Sequence, residues 1–443
     1  MRRLGWTAAI LLVTSTVLAS GCAAQSPRVE AQQRELSFIV KKLELHPLLR
    51  NSAKRQAFTA FADRELRLAE SPLPNWRIIE IEERLAAWFG DPHTFASALV
   101  ADYPGSQALP LAFDWLADGL VTVRMPDTPS SVATGDRVLD ISGVPAATIA
   151  QRLSALIGGD AIFVQHLGAD ELPVDSTLET LGLVRPGGNV SLRLEGADGK
   201  DLTIDLTPRP RTGDQWFKAE QIAFLRFAAT YELPAYELSR GHTNRADWTW
   251  YVTPRYGFFQ LTSCVYDAAY QQAVAAFFRQ VAVEHSPVVV LDLQQNGGGD
   301  SNVAIPWLEH LSPMFRASDV RLNTADGYAP TLPSLQPIFA GRLYVLQSGG
   351  TFSSAMWLSD ALTGPGLGVR VGSAVGESTA GYGNVAEYQT PVLHVYLQVS
   401  KQWYATIKGK AEATLPAEIP LDLTVEDVQH GVNPVARWLA TLP

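Results

Sequence analysis

At 443 residues the chain is too long for one compact core, so two or three domains are expected. Apolar residues make up 47% and charged residues 18%, a balance that excludes a disordered chain or a many-pass membrane protein. The formal net charge is -10 with no Lys/Arg-rich block, which argues against a nucleic-acid partner, and no zinc-type Cys/His spacing or phosphate loop calls for a metal or cofactor.

The chain begins with Met1-Arg2-Arg3, an uncharged apolar stretch from Leu4 to Leu18, and the small residues Ala19-Ser20-Gly21 before Cys22. The apolar run is too short for a lasting membrane span and reads as a cleaved export signal over residues 1–21. The Cys after small residues resembles a bacterial lipobox, with the usual Leu one place early at Leu18. That resemblance implies a lipidated Cys22, a cell-envelope location and a membrane partner through the lipid. The alternative is ordinary signal cleavage with Cys22 incidental. A polar tether is expected over 22–32, and Cys264, in an apolar run, is expected to be a buried thiol.

Residues 33–96 read as a helical region. Leu36, Ile39, Val40 and Leu43 share one helical face; Phe58, Phe61, Leu66 and Leu68 mark a second helix; Ile78, Ile81, Leu85, Trp88 and Phe89 mark a third. His46-Pro47 and Gly90-Asp91-Pro92 are stop signals, and His93-Thr94 follow in a turn.

Over residues 113–208 the pattern changes to short strands with Gly/Pro turns. Gly135-Asp136-Arg137-Val138-Leu139-Asp140-Ile141-Ser142-Gly143-Val144-Pro145 resembles the G-D-x-I-L-x-I-N-G segment of PDZ domains, with Ser142 in place of Asn. A helical insert over about 147–183 and a hairpin around Asp198-Gly199 follow. A generic small β-domain is the alternative.

Residues 216–443 alternate strand and helix. Val288 to Leu293 is a continuous apolar run, the signature of a parallel strand buried on both faces, so this is an α/β unit. Asn296-Gly297-Gly298-Gly299 follows that strand, where a backbone without side chains can bring N–H groups close to a ligand. Gln347-Ser348-Gly349-Gly350-Thr351-Phe352-Ser353-Ser354 precedes a helical face. A serine at a strand-to-helix turn is placed as a nucleophile, although capping is the commoner task of a serine there. Its base is one of eight histidines. Spacing alone leaves His46, His93, His310 and His394 open.

Three segments taken together resemble the tail-specific (C-terminal-processing) serine proteases: Asp292-Leu293 with Asn296 and Gly298-Gly299, Thr351-Phe352-Ser353-Ser354-Ala355, and Gly376-Glu377-Ser378-Thr379-Ala380-Gly381. The resemblance implies a crotonase-like core with a PDZ-like insert. It implies Ser353 as nucleophile, Gly298, Gly299 and Ser354 as oxyanion donors, and a peptide or protein substrate. Three positions depart from the family pattern. Gln294 replaces an Arg, Met356 replaces a Glu, and Tyr382 stands where bacterial processing proteases carry a base Lys. Asp91-Pro92-His93-Thr94 instead resembles the D-x-H-T motif of the tricorn-like and nisin-resistance-like branch, and Leu45-His46-Pro47-Leu48 resembles its H-P-x-L segment. This branch implies His93 as general base, oriented by Asp91, Glu377 or Glu418. The alternative is a non-catalytic apolar-ligand or peptide-binding envelope lipoprotein on the same fold, as in the related interphotoreceptor retinoid-binding domains.

Overall fold

The apolar spacing of the first third produces three helices, α1 (Pro27–Leu43), α2 (Ser52–Leu68) and α3 (Asn75–Ala87), in a computed structural model that describes residues 27–97, 105–184, 188–210, 247–311, 339–405 and 414–443. Leu36, Ile39, Leu43, Phe58, Ile79 and Leu85 are buried together. His46 caps a short 3-10 turn (Pro47–Arg50), its ring nitrogen accepting from Leu48 N at 3.1 Å. The expected tether over 22–32 is shortened, because α1 already starts at Pro27. Pro at a first helical turn costs no hydrogen bond, and Gln32 Nε2 ties this turn to Ala69 O at 2.6 Å. The signal over 1–21 and Cys22 lie outside the described residues.

Strand β1 (Phe95–Ser97) follows His93, and a β-rich unit comes next. Its elements are β2 (Gln107–Ala108), β3 (Leu111–Leu116), β4 (Gly119–Arg124), β5 (Arg137–Ile141), β6 (Val144–Pro145), α4 (Ala146–Leu153), α5 (Ala161–Glu171), α6 (Asp175–Thr180), β7 (Val190–Glu195), β8 (Asp201–Leu206) and β9 (Arg209–Pro210). An antiparallel sheet runs β3-β4-β5-β7-β8, with β6 paired to β5. Ser142 (φ 52°) and Gly143 (φ 83°) occupy two consecutive left-handed positions between β5 and β6, as a two-residue hairpin turn requires.

The larger sheet is built from β10 (Trp248–Val252), β11 (Gly257–Leu261), β12 (Val288–Asp292), β13 (Arg342–Gln347), β14 (Gly368–Gly372) and β17 (Ile419–Pro420) in that order. Only β10–β11 is antiparallel; the other pairs are parallel. All five residues of β12 are buried, which matches its unbroken apolar run. Helices α7 (Ala268–Glu284), α8 (Ala304–His310) and α9 (Ser354–Thr363) cover one side around Phe259, Phe277 and Trp307. Helices α10 (Val425–Gln429) and α11 (Pro434–Leu439) end the chain. The whole is a mixed α/β fold. Residues 216–246 of the expected core lie outside the described residues.

A third sheet joins the two ends of the sequence. Strands β15 (Ala380–Gln389) and β16 (Tyr396–Ala405) form a hairpin, and β1 adds to β16 with Phe95 opposite Gln398. Leu393, Val395, Leu397 and Val399 enter the core of the N-terminal helices. Glu35 of α1 accepts from Thr390 Oγ1, Val392 N and Leu393 N, at 2.6–2.8 Å. The residues before β1 are thereby fixed against the C-terminal third. Among the described residues no helix is long and apolar enough to cross a membrane.

Candidate active site

The β12 strand delivers a glycine loop held by one buried side chain. Asn296 is fully buried; its Nδ2 donates to Leu261 O at 3.0 Å, and its Oδ1 accepts Gly298 N at 2.9 Å. Gly298 O accepts from Cys264 N (2.9 Å) and Cys264 O accepts from Asp300 N (2.7 Å). Because a peptide is planar and trans, the Gly299 N–H lies opposite the Gly298 carbonyl and so points away from Cys264. The Gly299 carbonyl accepts from Ser354 Oγ at 2.7 Å, so Gly299 is the glycine turned to the serine loop. This corrects one expectation: the Gly298 N–H is already bonded to Asn296 and is not a free oxyanion donor here. The role of Gly298 is steric, since a Cβ on it would lie 2.6 Å from Ser353 Cβ.

The serine loop crosses this one. Phe352 N donates to Asn296 O at 2.9 Å, and Thr351 Oγ1 donates to Leu293 O at 2.8 Å. Ser353 stands at the N-cap position of α9, yet its side chain caps nothing and its backbone is at φ 54°, ψ -124°. For a residue with a Cβ this conformation stores about 1–3 kcal/mol, and strain of this kind concentrates at functional sites. The hydroxyl is therefore left for other work. Among the described residues the Ser354 N–H, like that of Gly299, has no protein acceptor.

His93 is buried beside this loop. Asp91 Oδ1 accepts its main-chain N–H at 3.0 Å, and its carbonyl accepts from Gln398 Nε2 at 3.1 Å. The ring lies against Phe352 with centroids 4.5 Å apart. Its Nδ1 is 3.4 Å from Glu377 Oε1, close enough for charge attraction but not aligned as a hydrogen bond. The second oxygen, Glu377 Oε2, accepts the Ser353 N–H at 2.5 Å, and Tyr404 OH donates to Oε1. Burial pushes the Glu377 carboxyl above its ordinary range, while His93, Tyr404 and the Ser353 N–H oppose the rise by favouring the charged form.

Of the three candidate orienting groups, Glu377 is the one placed at the His93 ring. Asp91 serves the loop instead: its Oδ2 accepts from His46 Nε2 (3.0 Å), Thr94 Oγ1 (2.7 Å) and Ser400 Oγ (2.6 Å). Since His46 Nδ1 accepts from Leu48 N, its Nε2 carries the proton given to Asp91. Burial alone would raise the Asp91 carboxyl, but the His46 bond, the nearby His93 and the Ser400 and Thr94 bonds outweigh it and hold it below its usual range. Glu418 pairs with Arg370 at 3.2 Å. His310 packs on Phe278, and His394 sits in left-handed conformation at the β15–β16 turn. Tyr382, which stands where the sequence resemblance would place a lysine, packs edge-on against His46 at 4.7 Å. Met356 is buried with Val375 and Leu415.

His93, Gly298, Gly299, Ser353, Ser354 and Tyr404 line a single cavity of ≈ 800 Å³. Sequence reasoning missed Asn296 as the clamp of the loop and Tyr404 as the partner of Glu377. Asn296 lay within a recognised motif; nothing in the sequence pointed to Tyr404. Cys264 is buried behind Gly299, its thiol pushed up to about 12 by burial. Among the described residues no group of three His, Cys, Asp or Glu side chains is arranged to hold a metal ion.

A serine left out of its cap, a histidine against a carboxylate, and two unspent N–H groups meet at one cavity, which makes it the candidate active site. The model of peptidase family S41 matches residues 255–417. In fold it is similar to mature CPAF complexed with lactacystin, at 14% identity and a TM-score of 0.60 over 93% of this chain and 97% of that one. Mature CPAF in a second structure gives 14% identity and a TM-score of 0.61, over 93% and 96%. The photosystem II D1 C-terminal processing protease is also matched, at 15% identity and a TM-score of 0.44 over 91% and 97%. No curated protein matches the chain.

Proposed function

We propose that the protein is an exported, lipid-anchored serine peptidase that cleaves peptides or protein tails, with Ser353 as nucleophile and His93 as general base. The observation that carries this reading is the pairing of an uncapped, left-handed Ser353 with a His93 whose Nδ1 faces Glu377. With Nδ1 directed there, Nε2 is the nitrogen that takes the Ser353 proton and later gives it to the leaving amine. Glu377 steadies the imidazolium formed in between. Gly299 and Ser354 N–H groups receive the oxyanion, a contribution worth about 3–4 kcal/mol per donor in related chemistry.

In this reading residues 216–443 form a crotonase-like peptidase core and 113–208 a PDZ-like domain that holds an extended chain by strand addition. The five-strand antiparallel path and its internal helices support the PDZ-like assignment. Residues 33–96 deliver His93. Cys22 carries the lipid and fixes the protein to the bacterial envelope. Incubation of the purified chain with an unfolded protein such as casein tests the peptidase reading: the wild type yields fragments and Ser353→Ala none. Fragments from both, or from neither, contradict it. Cys22→Ser moves the protein from the membrane to the soluble fraction if the anchor is correct; an unchanged distribution removes it.

A further inference from the structure

The start of α5 and the residues just before it, which belong to the β-rich unit, lie beside the chain neighbours of Glu377, His93 and Ser353. A Cβ on Gly376, adjacent to Glu377, would lie 2.6 Å from Phe163 N. A Cβ on Gly159 would lie 3.2 Å from Pro92 Cβ, adjacent to His93. The Phe163 ring stacks on Phe352, adjacent to Ser353, with centroids 4.8 Å apart and planes 28° apart. On its other contact Phe352 lies against His93 at 4.5 Å and 33°. Phe163 is 5% exposed and belongs to the core of the β-rich unit, against which Phe352 also packs. Asp160 fixes the turn by accepting Phe163 N at 2.9 Å.

His93 has no hydrogen bond at Nδ1, so its ring is not locked by Glu377 alone. Its contact partners are aromatic: the Phe352 face, and Tyr404 edge-on with centroids 6.0 Å apart. A ring held by stacking keeps its angle only while the stack is backed, and Phe163 is that backing. We propose that Phe163 is a positioning residue which, through Phe352, holds the His93 ring at the angle for proton transfer. The β-rich unit is then part of the working site. The inference rests on His93 acting as the base for Ser353.

The test uses the purified full chain and a fluorophosphonate, with labelling followed against probe concentration to separate binding from the chemical step. Phe163→Leu lowers the maximal labelling rate about tenfold to a hundredfold, the scale on which a roughly 1 Å misplacement slows a reaction; because Phe163 also lines the cavity, only the loss in the maximal rate, and not any change in probe binding, counts as positioning. Phe163→Tyr keeps the ring and recovers most of the rate. Phe352→Leu gives a similar loss, and the double variant is no slower than the single ones, because both break the same stack. Thermal unfolding of each variant accompanies the kinetics. A wild-type maximal rate in Phe163→Leu, equal losses in the Leu and Tyr variants, or losses that multiply in the double variant overturn the inference. Absence of labelling in the wild type overturns the serine-nucleophile reading itself, and the inference with it.

Discussion

Glu377 accepts the main-chain N–H of Ser353 at 2.5 Å. The carboxylate that faces the proposed base thus also clamps the backbone of the proposed nucleophile. It stabilises the left-handed Ser353 and the charge that would form on His93 with one group. Glu377→Gln keeps the shape and removes the charge. The expected loss in turnover is about 10²–10⁴-fold, as for other groups that orient a catalytic histidine, with little change in KM. Steady-state kinetics on a cleaved peptide measure it.

Asp91 is a structural counterpart. Its two oxygens gather four donors in a site that is almost fully buried. Asp91→Asn cannot accept from all of them, and the expected cost is about 3–5 kcal/mol, as for removal of one partner from a buried charged network. Denaturant unfolding measures this. The wild-type carboxyl has a lowered pKa, so its contribution is present above the ordinary value near 3.8 and is lost as the pH falls through the lower, native value.

Gly299 has φ 133°, and a Cβ on it would lie 2.4 Å from Cys264 O. Gly299→Ala forces the loop off that carbonyl and turns the Gly299 N–H from the cavity. Turnover falls by about 10²–10³-fold, the effect of losing one oxyanion donor. The comparison of kcat and KM on one substrate locates the loss in kcat.

Helix α3 contains a second, unrelated tension. Glu82 is fully buried with both oxygens unpaired, and burial first, then Glu35 and Glu83, raise its pKa well above 4.5. With a raised native pKa, the stability this carboxyl permits is full below about 4.5 and falls as the pH rises toward the native value, by about 1.4 kcal/mol for each step of one in pH. Glu82→Gln therefore raises the melting temperature more at pH 8 than at pH 5. Thermal unfolding at both pH values checks the sign.

Much of the scaffold was legible because it depends on local pattern. The run from Val288 to Leu293 announced a doubly buried strand, and Ser142-Gly143 announced a tight turn. Ser353 was legible as a candidate only, since its sequence fits a cap equally well; its φ and the absence of a side-chain cap bond speak against the capping role. The sequence left the partner of His93 open among Asp91, Glu377 and Glu418. Glu377 reaches it because β1 adds to β16 across the length of the chain, a pairing that no local pattern encodes. The choice between Gly298 and Gly299 was hidden for a similar reason, as it turns on where Asn296 and Cys264 direct one peptide plane. The shortened tether reflects Gln32 reaching Ala69, again a contact between separate helices.

Activation of a Ser353 nucleophile by His93 is the point on which the proposed chemistry turns. Mass spectrometry of the fluorophosphonate adduct tests it most directly, applied to the wild type, Ser353→Ala and His93→Ala. The adduct is expected on the peptide containing Ser353 in the wild type and is absent from Ser353→Ala, while labelling slows by about 10²–10⁴-fold in His93→Ala. An adduct on another residue, or equal labelling in all three proteins, would contradict it.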